Sequence, residues 1–235
     1  MKKLVSLLLV VALCLGCTSA FAAGKLNVVQ ENTYFVTKYG RAYYAFAKVE
    51  NTGDKDIAIN AGLLEVYNAD GEAISSNDWP TVYGRCLKPG EYTYVSAAAY
   101  DGFDDESVVP EDYALTLTGK ADKDYTTVRF PAETKLELNV QEDKWNTRNF
   151  MYVTVTNTTE ETVYDLAVVM ALLDAEGNIL CVEGEHLYDS VGLAAGSTLV
   201  IRQDIPSNFM DYFEKNSLTP ASVDAIVYVD VEVDD

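Results

Sequence analysis

Three groups of residues in this chain have side chains suited to chemistry. His186, the single histidine, stands among Glu183, Glu185 and Asp189. An imidazole beside carboxylates is what general-base chemistry uses. No G-x-S-x-G surrounds any serine, and G-x-G-x-x-G, G-x-x-x-x-G-K and H-E-x-x-H are all missing, so no catalytic residue is assigned and no cofactor is implied. The second group is aromatic: Tyr34 and Tyr39 in Asn32–Arg41, Trp79 and Tyr83 in Ser75–Arg85. Flat rings on irregular segments suit a platform for sugars or for a protein partner, and they equally suit pinning a loop to its own core. Tyr34, Tyr39, Trp79 and Tyr83 are the candidate ligand-binding residues. The third group is the acidic stretch Tyr100–Asp112, with Asp101, Asp104, Asp105, Glu106, Glu111 and Asp112. Calcium needs several oxygens on a chain that can wrap round it, but the EF-hand spacing with its central glycine is missing, so the stretch reads as a solvated loop and no metal site is assigned.

The elements that must hold these groups are set by a duplication. Asn51–Ile74, NTGDKDIAINAGLLEVYNADGEAI, returns without a gap at Asn157–Leu180, NTTEETVYDLAVVMALLDAEGNIL, an offset of 106 (157 − 51). The register continues through Leu87 and Leu193, then Gly90 and Gly196. Met151, Val153 and Val155 alternate with Tyr152, Thr154 and Thr156, the period-two pattern of a strand with one face buried. Val163–Leu173 and Ile57–Tyr67 are apolar runs rich in branched residues and too short to span a membrane, so they read as core strands. Asn68-Ala69-Asp70-Gly71 and Asp174-Ala175-Glu176-Gly177 read as hairpin turns, with glycine supplying a positive φ. Short strands at regular spacing between turn residues predict an all-β chain: two tandem antiparallel β-sandwich domains, residues 23–131 and 132–235. Tyr113–Thr118 and Thr126–Phe130 are expected to close the first, Pro131-Ala132-Glu133 to link the two, and Val29-Gln30-Glu31 to correspond to Val140-Gln141-Glu142. One helix is expected at Asn208–Asn216, capped by Asn208, with Phe209, Tyr212 and Phe213 on one face.

An Asn-Thr turn, an apolar strand, a hairpin ending Asp/Glu-Gly and then Leu-x-x-Gly resembles the FxLYD-type domains of bacterial envelope proteins, once in each half. The name-giving residues would fall on Leu64-Glu65-Val66-Tyr67-Asn68 and Met170-Ala171-Leu172-Leu173-Asp174, where Tyr67 and Asp174 keep the family letters. The resemblance implies an immunoglobulin-like sandwich on an exported protein and carries over no catalytic residue.

Export is also read from the first residues. Lys2-Lys3, the apolar Leu4–Leu15 and Ala20-Phe21-Ala22 form a secretory signal, residues 1–22, with cleavage before Ala23. A lipoprotein signal ending at Cys17 is the competing reading. Cys86 and Cys181 then remain, at non-equivalent positions (181 − 106 = 75, a serine), and are expected to stay unpaired. Formal charge is −20, or −22 without Lys2 and Lys3, which repels phosphate backbones and anionic headgroups and excludes nucleic acid as an expected partner. The sequence thus predicts an exported, non-enzymatic protein without a membrane span, binding a protein or a glycan at or outside the cell envelope, or serving as a structural spacer. The first half, 23–131, holds 11 of the 16 tyrosines and is the better candidate for a binding face.

Overall fold

The structure, a computed structural model, describes residues 25–121, 124–187 and 192–233. The expected leader with Cys17, Asp189 and the terminal Asp234-Asp235 lie outside the described residues. Fourteen strands form four antiparallel sheets among the described residues, with one short α-helix. In the first half, β1 (Leu26–Val36), β2 (Ala42–Asn51), β6 (Tyr92–Ala99) and β5 (Thr81–Val82) pair in the order β1-β2-β6-β5. They cover a second sheet, β4-β3-β7, made of β3 (Ala58–Tyr67), β4 (Ala73–Asn77) and β7 (Asp112–Lys120). In the second half, β9 (Ala132–Gln141), β10 (Thr147–Thr156) and β13 (Thr198–Asp204) pair as β13-β10-β9. The facing sheet is β12-β11-β14-β8, from β8 (Tyr125–Phe130), β11 (Leu166–Leu173), β12 (Ile179–Leu187) and β14 (Ser222–Glu232).

The duplicated residues have matching jobs. Asn51 is fully buried, and its amide donates to the carbonyls of Lys55 and Leu87, both at 2.8 Å, while its oxygen accepts from the Gly53 N–H at 3.0 Å. Asn157 repeats this on Glu161 at 2.7 Å, Leu193 at 2.8 Å and Thr159 at 2.9 Å. Each asparagine ties three backbone groups around its turn, and a buried amide must have such partners. Gly71 and Gly177 sit at φ +79° and +85°, as the hairpin readings require.

Several expectations change. β8 pairs with β14, Val227 opposite Phe130, so Thr126–Phe130 belongs to the second half. The boundary between halves therefore lies between Lys120 and Tyr125, and Pro131 turns the chain between two sheets of one sandwich instead of linking two. Asn32–Val36 is strand, not loop, because β1 stays paired with β2 to Val36 opposite Ala42. The match of Gln30-Glu31 with Gln141-Glu142 fails in register: Glu31 pairs Ala47, whose repeat counterpart Val153 pairs Thr134. The helix α1 runs Ser207–Lys215 with Pro206, not Asn208, at its N-cap and no side-chain cap bond.

The halves are not separate bodies. Along β2, Tyr43, Ala45, Ala47 and Val49 face the first half's own core. The alternate residues Tyr44, Phe46 and Lys48 face the second half. Phe209 of α1 meets Tyr44 at 4.8 Å and Phe46 at 5.7 Å between ring centroids, and Phe213 meets Tyr34 at 5.8 Å. Tyr34, Val36, Phe46 and Tyr94 thereby join the apolar core of the second half. The second half's β11 is buried along seven of its eight residues, so its sheet, like β1-β2-β6-β5, is covered on both faces. The two sandwiches are joined through this shared layer.

Several polar groups at the joint between the halves are paired. The Asp224 carboxylate accepts the Tyr94 hydroxyl at 2.6 Å and the Tyr92 hydroxyl at 2.8 Å, with Lys48 Nζ 3.8 Å away. Thr127 accepts from the Cys86 N–H at 2.8 Å and donates to Asp230 at 2.5 Å. Lys38 pairs with Asp211 of α1 at 2.5 Å.

Candidate functional site

Trp79 and Tyr83 meet in a cleft between the halves with a volume of ≈ 280 Å³. Ser75–Arg85, expected to be irregular, contains two short strands. β4 leaves the outer sheet, Trp79-Pro80 turns, and β5 pairs with β6 through Thr81–Ser96 and Val82–Val95. The Asn77 oxygen accepts the Trp79 N–H at 2.7 Å, and its amide donates to the Ala98 carbonyl at 2.8 Å, which fixes the turn. Trp79 stays 83% exposed at the rim, so it pins nothing.

Behind it, β2 contributes Tyr44 and Phe46, β6 contributes Ser96 and Ala98, and Tyr100 follows β6. Tyr100 stands edge-on to Tyr44 at 6.1 Å. The opposite wall is Val182 and Glu183 of β12 with Phe209 of α1. Tyr83 lies flat on the backbone of Gly184: a Cβ there would sit 2.1 Å from Tyr83 Cε1. Glycine at 184 is thus required by close approach, and it lets the ring line the wall beside Glu183.

Glu183 is the one carboxyl group among the described residues lining the cleft. Burial pushes its carboxyl up to about 7, since charge is disfavoured where solvent is thinned. Burial likewise pushes Tyr44 up to about 12 and Tyr83 higher still, with the Glu183 charge adding to both. A half-buried acid titrating near neutrality in a cleft of rings is where ligand chemistry concentrates.

The other sequence candidates lie elsewhere. Tyr34 is 4% exposed; its hydroxyl donates to the Ile179 carbonyl at 3.3 Å, and its ring stands edge-on to Tyr212 at 5.0 Å. It is part of the joint between halves and faces no ligand. Tyr39 is exposed in the turn between β1 and β2 at φ +64°, away from the cleft. His186 is exposed on β12, opposite Ala167. In the acidic stretch Arg41 donates to the carbonyls of Phe103 at 2.9 Å and Val108 at 2.7 Å, and to that of Asp105, so those oxygens hold a guanidinium. No group of three or more metal-ligating side chains occurs among the described residues. Cys86 and Cys181 are both buried thiols, and burial pushes the Cys181 thiol far up. No helix of the described residues is long and apolar enough to cross a membrane.

Sequence reasoning missed Tyr44, Tyr100 and Glu183 as site residues. A signal for Glu183 was present: it is an acid two residues after Cys181, in phase with a buried face of an apolar strand. Its repeat counterpart (183 − 106 = 77) is Asn77, which lines the same cleft. Compared with known proteins, the chain matches no family model and no curated protein.

Proposed function

We propose that this chain is an exported, non-enzymatic binding module of FxLYD-type sandwiches, acting at or outside the cell envelope, with its ligand seat in the cleft between the halves. The observation that carries this reading is Trp79, 83% exposed over a cleft whose walls come from both halves. An indole face open to water at the rim of a formed cleft offers a ligand a flat apolar surface to stack on, with an N–H at its edge. The cleft is smaller than the seats of drug-sized ligands, so it takes one protruding group: a partner's side chain, a small molecule or one sugar ring. The joint between halves is aromatic and closely packed, so both walls are held by one core. One carboxyl among the described residues lining the cleft fits holding a ligand better than two-carboxylate hydrolysis.

The export part is tested by the mass of the mature chain: a start at Ala23 supports secretory cleavage, and a lipid on Cys17 supports anchoring. The binding part is tested by titrating labelled full-length mature protein onto envelope fractions. Trp79→Ala and Tyr83→Ala are expected to weaken binding at least tenfold with unchanged circular dichroism. Unchanged binding in both variants overturns the cleft as the seat, and binding confined to defined glycans on an array assigns the sugar reading.

A further inference from the structure

We infer that the group this cleft takes is an organic ammonium, with Glu183 as counter-ion and the rings of Tyr44, Tyr83, Tyr100 and Trp79 as its walls. The inference rests on the cleft being the ligand seat. Four observations lead to it.

First, the Glu183 carboxylate has neither a hydrogen bond nor an ion pair among the described residues, although it opens into the cleft. Other carboxylates at the joint are satisfied: Asp224 by two tyrosine hydroxyls, Asp211 by Lys38, and Glu91 by Arg129 at 3.7 Å. An acid held in thin solvent without a partner is stabilised by whatever brings positive charge to it. Second, the remaining lining is aromatic with small polar groups, and contains neither lysine nor arginine among the described residues. Ring faces carry negative potential and attract ammonium groups, quaternary ones above all, whereas an anion would meet no positive charge in the described lining. Third, a formal charge of −20 draws cations toward the molecule from a distance. Fourth, a volume of ≈ 280 Å³ suits one ammonium head with a short alkyl stem.

The coupling to protons follows. The titratable and charged groups around Glu183 are Tyr44 from β2, Tyr83 next to β5, Tyr100 beyond β6, and Cys181 and Glu185 on its own strand; β11 brings Met170 opposite it, and α1 brings Phe209 into the cleft. Burial keeps Tyr44, Tyr83 and Cys181 protonated across the neutral range, so Glu183 is the group that titrates there. Because its carboxyl titrates near 7, an ammonium competes with a proton, and binding releases that proton.

Calorimetry of the full mature chain with choline chloride, and separately with its uncharged carbon isostere 3,3-dimethyl-1-butanol, tests this. A lysine-containing tetrapeptide serves as a second probe to separate a free small cation from a partner's side chain. Saturable choline or peptide binding is expected, at least tenfold tighter than the isostere. It should weaken about tenfold between pH 8 and pH 6, as competition at a carboxyl titrating near 7 requires. Glu183→Gln should remove the pH dependence and reduce the charge preference to the part that the rings supply. Equal binding of choline and the isostere overturns the inference, and so does failure of both cationic probes while Trp79→Ala still abolishes envelope binding. That last result spares the cleft and removes the ammonium. Failure of every probe together with no effect of Trp79→Ala removes both readings.

Discussion

Asn51 and Asn157 perform one task in two places, whereas Asn77 and Glu183, equally equivalent in the repeat, perform two. The first pair sits where the backbone of each half folds back on itself, and both copies bond the same three kinds of group within about a tenth of an ångström. The second pair sits where the halves meet. Asn77 closes the Trp79 turn with its amide, while Glu183, in the other wall, holds a carboxyl that no described residue pairs. Residues that build a sandwich are held by demands internal to each copy. Residues that face the other copy answer to a partner found once in the molecule, and there the copies differ.

The largest test of that contrast removes the joint. Phe209→Ala deletes a 3% exposed ring touching Tyr44 and Phe46 and is expected to cost about 3–5 kcal/mol in urea unfolding. It should also split one transition into two, because the shared layer is what couples the halves. A single unsplit transition would show that the halves are coupled elsewhere. Next, Asn51→Ala and Asn157→Ala each remove three hydrogen bonds made by a fully buried amide, and each should cost about 2–4 kcal/mol. Unequal costs would mean that the two pins, alike in geometry, differ in how their surroundings relax.

Smaller and pH-dependent is Glu183→Gln. The folded carboxyl titrates near 7, raised from its ordinary 4.5, so the folded state holds its proton more tightly than the unfolded chain. The stability this contributes is fully present below about 4.5 and is lost as pH rises to about 7. Above pH 7 the glutamine variant should therefore gain up to about 3 kcal/mol on the parent relative to their difference at pH 4. A pH-independent difference would place Glu183 in ordinary solvent. The smallest effect belongs to Trp79→Ala, which should change stability by less than about 0.5 kcal/mol because the indole is 83% exposed. A larger loss would show that the indole packs in solution.

The duplication made the strands legible, since a period-two pattern repeated at constant offset leaves few alternatives to a sandwich. Turn glycines at 71 and 177 were readable for the same local reason. What was not legible depends on contacts far apart in sequence. Thr126–Phe130 looks like any strand, and only its pairing with β14 assigns it to the second half. Tyr34 and Trp79 are both aromatics near turns, yet one is sealed under α1 and the other stands in water. The apolar face of α1 was readable, but not that it wedges against the other half. Half of the aromatic candidates therefore fell in the cleft, and its acid was found only once β12 was seen to form the wall.

The crossing of β8 has a practical outcome for anyone dividing this chain. A fragment beginning at residue 132 loses the outermost ribbon of the sheet β12-β11-β14-β8 and bares the backbone amides and carbonyls of β14. Such a raw border templates addition of foreign or sister strands, so this fragment should self-associate more strongly than one beginning at Asp124, which bares the same apolar face but keeps the ribbon.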